Sequence, residues 1–230
     1  MKILGKGMDP AFWAEVREKK CFAHYREELK SIWDATCIED IEELTYSKFK
    51  LFWTTGDRNA YQAIFFRRRR AISAASILAL IYPDEPKYLD RLSDELFAIC
   101  NEYTWCLPAH HGKLEYNYSK MIDLFAAETA FYLSEIYVLL RDRLDPLIRN
   151  RIVAEVDRRV IRPYAERERE YWWEESTNNW SAVCMASIAG AVMHLRPELF
   201  CELEPRFAHT MECYLKGFKP DGMCLEGVGY

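Results

Sequence analysis

Apolar residues recur at helical spacing along nearly the whole chain, and this pattern constrains its fold more than any other. Between residues 122 and 140 they repeat every three or four positions, and the same interval runs from Ile148 through Ile152 and Val156. This interval keeps side chains on one face of a helix, whereas a strand alternates at every second residue. No stretch alternates in that way between hairpin turns. The sequence therefore predicts an all-α fold.

Capping residues and prolines divide this pattern into separate helices. Proline follows aspartate at Asp9-Pro10 and at Asp145-Pro146, where the aspartate can cap a first turn that accepts proline. Helices are predicted to begin at both places and to cover residues 10–33, 59–80, 88–102 and 178–194. Pro205 is expected to split or kink the last helical region. Because no linker interrupts the chain, residues 1–230 are predicted to form a single domain of antiparallel helical hairpins.

Charge and residue content argue against several classes of protein. Lys and Arg number 31 and Asp and Glu 36, which gives a net charge of −5, whereas generic nucleic-acid binding favours a basic surface. The longest apolar stretch is too short to span a membrane, and the N-terminus lacks the apolar core of a secretory signal. None of the eight cysteines forms a CxxC pair. Reduced, buried thiols in a cytoplasmic protein are therefore expected.

A run of four arginines, residues 67–70, follows two phenylalanines inside a predicted helix. Four consecutive residues cannot all face one side of a helix. We therefore expect the run to lie on a solvated helix surface.

The connector at residues 103–112 contains an aromatic residue, a proline and two adjacent histidines. Adjacent histidines point in different directions, and no carboxylate lies beside them at a ligand spacing, so they form a poor metal pair. The segment is either a loop packed over a helix end or one wall of a polar cleft. In the second case Trp105 would stack on a ligand that His110 and His111 also contact. The sequence predicts no metal and no other cofactor.

Two further segments combine amides, aromatic rings and glycines. Asn178 and Asn179 precede Trp180 at the start of a predicted helix, and capping alone explains one of the two asparagines. An amide beside aromatic rings also suits a carboxylate or a sugar hydroxyl. The last segment contains Glu226 and ends in a glycine-flanked Tyr230. A tyrosine there can exchange protons if its neighbours lower its ordinary pKa of about 10.

Taken in order, these segments resemble the heparinase II/III family of polysaccharide lyases. The resemblance covers roughly the second half of the chain. It rests on Tyr103-Thr104-Trp105 with Pro108-Ala109-His110, Ile122-Asp123-Leu124-Phe125-Ala126-Ala127-Glu128-Thr129, Asn178-Asn179-Trp180-Ser181-Ala182-Val183-Cys184, and Asp221-Gly222 with Glu226-Gly227 and Tyr230. It implies an incomplete α/α toroid of antiparallel helical hairpins. Family enzymes continue into antiparallel β-sandwich domains, which this chain lacks.

The resemblance also implies a reaction, the β-elimination of uronate-containing polysaccharides such as glycosaminoglycans or alginate. Asn179 would neutralise the uronate carboxylate, and Tyr230 would act as acid and in some members also as base. The residues implied to contact an acidic polysaccharide or oligosaccharide are Trp105, His110, His111, Asn178, Trp180 and Glu226. Oligomeric state is left open.

The match departs from the family at one catalytic position. Several of these lyases have a histidine directly after the asparagine pair, where this chain has Trp180, and a further catalytic histidine of the family lies beyond the toroid. No base is assigned, so the chain alone is expected not to cleave heparin, heparan sulfate or alginate. The alternative is a non-catalytic helical module that binds carbohydrate or another partner. A glycoside hydrolase would need two carboxylates flanking the bond, and no pair stands out.

Overall fold

The computed structural model describes residues 4–110, 120–167 and 170–227. The described part of the chain is 74% helical and contains no strands. Within the described ranges, β pairing is limited to one isolated antiparallel bridge between Phe218 and Cys224. The predicted all-α class is therefore confirmed. None of the helices in the described part of the chain is long and apolar enough to cross a membrane.

The described α-helices fall close to the predicted ones. They are α1 Pro10–Glu18, α2 Ala23–Thr36, α3 Tyr46–Phe49, α4 Leu51–Thr55, α5 Asn59–Ile81, α6 Pro86–Cys100, α7 Leu124–Leu140, α8 Pro146–Val156, α9 Arg162–Ala165, α10 Asn179–Leu195 and α11 Phe200–Leu215. One prediction was wrong at the N-terminus, because two helices replace the single helix over residues 10–33. Lys19 is extended between them, and the Arg26 guanidinium donates to the carbonyls of Val16 and Lys19, at 2.7 and 2.9 Å. That side chain satisfies carbonyls that a continuous helix would have used itself.

The chain divides into two compact units, residues 1–102 with 136–152, and residues 103–135 with 153–230. In the first unit, α5 packs against both α2 and α6. Leu78 and Ala79 of α5 and Tyr88 of α6 form a buried group there, and partly buried side chains such as Trp33 pack against it. Helices α5 and α6 are joined by a short connector and pack against each other as a hairpin.

The arginine run in α5 does not lie wholly on a solvated surface, so that expectation was wrong. Arg68 and Arg69 are buried, and both donate to the carboxylate of Glu102, whose side chain is 1% exposed. The donor–acceptor distances are 3.0 Å from Arg68 Nη1 and 2.7 and 2.6 Å from Arg69 Nη1 and Nη2. Arg67 instead pairs at 2.9 Å with Glu39, which is 78% exposed. Buried charges persist only when they are paired in this way.

In the second unit, α10 and α11 form another hairpin. Helix α11 runs through Pro205 without interruption, so the predicted split does not occur. The end of this hairpin comes very close to the N-terminal side of α10. A Cβ atom added at Gly217 would lie 2.1 Å from the Thr177 carbonyl oxygen. Only glycine permits this backbone approach.

A π-helical turn, Asp157–Ile161, precedes Pro163. The wider turn fits the proline, because a proline ring in a regular helix clashes with the carbonyl four residues earlier. Arg159 in this turn donates from Nε to Glu155 at 2.7 Å, and its guanidinium lies 4.8 Å from the centre of a Trp105 ring. The turn thereby packs against the start of the connector at residues 103–112, which was predicted to be either a packed loop or one wall of a polar cleft.

All eight cysteines are free thiols. Cys37, Cys100, Cys106, Cys184 and Cys213 are buried, as predicted. Cys21 and Cys201 are exposed, so the expectation of burial was wrong for these two.

Candidate active site

Asp123 organises the connector and the start of α7 in the second unit. Its position directly before Leu124 makes it the N-cap residue, and Oδ1 accepts a hydrogen bond from the Ala126 N–H at 2.7 Å. Oδ2 accepts from the Leu107 N–H at 2.9 Å and lies 2.6 Å from Nδ1 of His110. The Asp123 side chain is 1% exposed. One buried carboxylate therefore fixes both a helix terminus and a histidine.

Two aromatic rings fix the plane of the His110 imidazole. The ring stacks on Phe125 with centroids 5.4 Å apart and planes 15° apart, and it meets Trp180 at 4.9 Å and 59°. The His110 side chain is 13% exposed. Since Nδ1 faces Asp123 at 2.6 Å, Nε2 lies on the side of the ring away from that carboxylate.

The N-terminus of α10 brings the asparagine pair to this histidine. The Asn178 side chain accepts from the Trp180 N–H at 3.1 Å, so Asn178 has the capping role that sequence alone allowed. Asn179 is the first residue of α10 and is partly buried, and its N–H donates to Oε2 of Glu226 at 2.6 Å. A carboxylate at a helix N-terminus is stabilised by the helix dipole. Glu226 thereby fastens the C-terminal segment to the asparagine pair.

The field of Asp123 reaches other groups around the site. Burial raises the pKa of the Cys106 thiol well above its ordinary value, and the Asp123 carboxylate raises it further. Burial also raises the pKa of Glu128 on α7, again with a contribution from Asp123. The neutral forms of both side chains are therefore favoured.

A cleft of about 540 Å³ lies in the same unit as the asparagine pair. Its wall includes Trp172, which is 60% exposed and whose ring centroid lies 5.0 Å from that of Trp180. Arg206 and Glu174 form a two-contact ion pair on another wall. Arg167 also lines the cleft. Aromatic rings therefore run from this cleft through Trp180 to His110.

The structure brings several predicted site residues together. His110 contacts Trp180, and Glu226 contacts Asn179, the residue before Trp180. Trp105 is 1% exposed and lies against Arg159, so in this structure it is part of the core and offers almost no ring surface to a ligand. His111 and Tyr230 lie outside the described residues.

Sequence reasoning assigned no role to Asp123, Phe125 or Trp172. The signal for Asp123 was present, because an aspartate directly before a long apolar helical stripe has the pattern of an N-cap. Its contact with His110, 13 positions earlier in the chain, required the fold. Within the described ranges, no group of three or more His, Cys, Asp or Glu side chains could hold a metal ion.

Comparisons of the sequence with protein-family models and with curated proteins found no match in either set.

Proposed function

We propose that this chain is the toroid-type helical part of a lyase that cleaves uronate-containing polysaccharides by β-elimination. The observation that carries the proposal is the contact between segments far apart in sequence. His110 meets Asp123, Phe125 and Trp180, and Glu226 reaches the backbone of Asn179. These residues belong to the four segments on which the resemblance rests.

The chemistry of β-elimination requires a group that neutralises the uronate carboxylate while the C5 proton leaves. The Asn179 side-chain amide is suited to this role, because Asn179 is partly exposed and an amide N–H can donate to a carboxylate oxygen. Trp172 and Trp180 offer ring surfaces along which sugar residues can stack. Arg167 adds a cation at the wall of the cleft.

The alternative is a carbohydrate-binding module without catalysis, and the exposed Trp172 beside a polar cleft favours it. Both functions predict binding of oligosaccharides, but only the lyase requires recognition of the carboxylate at the reacting sugar. The two are therefore distinguished by the ligand's charge and by a chemical change at C5.

The test is calorimetric titration of the chain with hexasaccharides of alginate, heparan sulfate and chondroitin. Each is compared with the same oligosaccharide after its carboxylates have been reduced to alcohols. We expect one native series to bind, and Asn179→Ala to weaken that binding by about 10- to 100-fold, since a hydrogen bond to a charged group contributes about 1.5–3 kcal/mol. Asn179→Ala should leave the weak binding of the reduced ligand unchanged.

Asn150→Ala is the matched control, because Asn150 is an exposed asparagine on α8. It should bind as the unsubstituted chain does. Equal affinity for native and reduced oligosaccharides would favour the binding module, and no binding of any uronate series would refute the lyase.

A further inference from the structure

We propose that His110 is the base that removes the C5 proton of the uronate. This inference rests on the proposed function and supplies the group that the resemblance leaves unassigned. It follows from the hydrogen bonds of Asp123, the packing of the imidazole ring and the contact of that ring with Trp180, the residue after Asn179.

The hydrogen bonds of Asp123 determine which imidazole nitrogen carries the proton. Both carboxylate oxygens accept bonds from backbone N–H groups, those of Ala126 and Leu107. An ionised carboxylate is an acceptor only, so at 2.6 Å the Nδ1 atom of His110 is the donor. The neutral imidazole then has its lone pair on Nε2, which is the form a base requires.

The ring is also held in place for this role. Phe125 stacks on one face and Trp180 packs against the ring, while 13% of the side chain remains exposed. Among the residues that the structure describes, none forms a hydrogen bond with Nε2. Trp180 directly follows Asn179 at the start of α10, so the imidazole contacts the residue next to the proposed neutraliser of the carboxylate. Trp180 stands where several lyases of the resembled family have histidine, and here it packs against a histidine from another segment.

The proposed step breaks the C5–H bond and forms an N–H bond at Nε2 of His110. The electron pair of the C–H bond moves into the carboxylate as an enediolate, whose charge the Asn179 amide stabilises. In the full elimination this pair forms the C4–C5 double bond as the C4–O bond breaks, and the departing oxygen takes a proton. If no acid protonates that oxygen, a proton or deuteron returns from Nε2 to C5.

This reversal gives a test that does not depend on cleavage. The full chain is incubated in D2O with a hexasaccharide that binds it, and loss of the C5–H signal is followed by nuclear magnetic resonance. We expect exchange with the unsubstituted chain and a loss of about 10²- to 10⁴-fold in His110→Ala, the usual contribution of a general base. Added imidazole should restore part of the rate in His110→Ala, which a purely structural defect would not allow.

Two further variants separate the base from its alternatives. Tyr230→Phe should still exchange C5–H, because Tyr230 is proposed only as the acid. Asp123→Asn should lower the rate at saturating oligosaccharide while the half-saturating concentration changes by less than about threefold, since a carboxamide that donates to Nδ1 places the proton on Nε2. Asp123 is thus a positioning residue.

The outcomes also separate this proposal from the proposed function. Binding without exchange in the unsubstituted chain would overturn His110 as the base and leave uronate recognition intact. Exchange that survives in His110→Ala and disappears in Tyr230→Phe would assign the base to the tyrosine instead. Circular dichroism and hexasaccharide affinity of His110→Ala verify that the variant is folded. If it is not, His110→Gln, which keeps a polar side chain of similar reach, replaces it with the same expected loss of exchange.

Discussion

Replacing Glu102 by glutamine should destabilise the first unit strongly. The Glu102 carboxylate is 1% exposed and accepts hydrogen bonds from the guanidinium groups of both Arg68 and Arg69. Glutamine keeps the shape but removes the charge, and it replaces one acceptor oxygen by an amide NH2 donor that faces the guanidinium donors. Loss of one partner from a buried ion pair destabilises by about 3–5 kcal/mol, because the remaining charge stays buried. At about 2–4 °C per kcal/mol for a chain of this size, the unfolding midpoint should fall by about 6–20 °C.

Glu39→Gln is the matched control, since Glu39 pairs with the neighbouring Arg67 but is 78% exposed. An exposed pair contributes about 0–1 kcal/mol, so its midpoint should move by no more than about 4 °C. Scanning calorimetry and far-ultraviolet circular dichroism of both variants measure the difference. Equal midpoints for Glu102→Gln and Glu39→Gln would refute the conclusion that burial of the arginine pair makes its carboxylate essential.

Three other substitutions test the second unit. Trp172→Ala should weaken oligosaccharide binding about tenfold in a titration, since covering an aromatic side chain contributes about 1.5–3 kcal/mol at most. Tyr25 is an equally exposed aromatic residue in the first unit, and Tyr25→Ala should leave binding unchanged. Gly217→Ala should lower the stability measured by urea unfolding by about 1–3 kcal/mol, because its new methyl group meets a backbone carbonyl at 2.1 Å; Gly7→Ala, whose nearest neighbour is at 3.7 Å, should have little effect. Glu128→Gln should raise the thermal midpoint at pH 7. Burial raises the pKa of Glu128 in the folded state, so the ionised side chain destabilises the fold once the pH is above the unfolded value of about 4.3. Glutamine cannot ionise and avoids this loss. The gain should vanish near pH 3.5, below that unfolded value of about 4.3, and a gain that persists there would contradict the assignment.

The helices were predictable because apolar spacing and capping residues are local signals. Asn59 and Pro86 begin helices close to where the pattern required them. The break at Lys19 was not predictable, since neither glycine nor proline marks it and the compensating donor, Arg26, comes from the next helix. The arginine run was misassigned for a related reason. Whether an arginine is solvated or buried depends on a partner such as Glu102, which lies over 30 residues away in sequence.

The candidate site was predictable in its segments but not in its contacts. The sequence placed His110 and Asn179 on connectors or helix starts, where functional side chains are common. It did not reveal that Asp123 bonds to His110. An aspartate that only caps a helix and one that also binds a histidine look the same in the local sequence. Trp105 shows the converse, since a tryptophan in a polar loop gives no sign of whether its ring faces solvent or, as here, the core.

The distribution of thiols gives each unit its own reporter of local opening. Burial raises the pKa of Cys37 in the first unit, and burial raises the pKa of Cys106 and Cys184 well above the ordinary value in the second. Alkylation requires the thiolate, so these cysteines react only when the surrounding structure opens. Cys21 and Cys201 are exposed and give an internal reference for rapid labelling. The alkylation kinetics of individual cysteines, followed by mass spectrometry, therefore measure the opening free energy of each unit separately in a single sample.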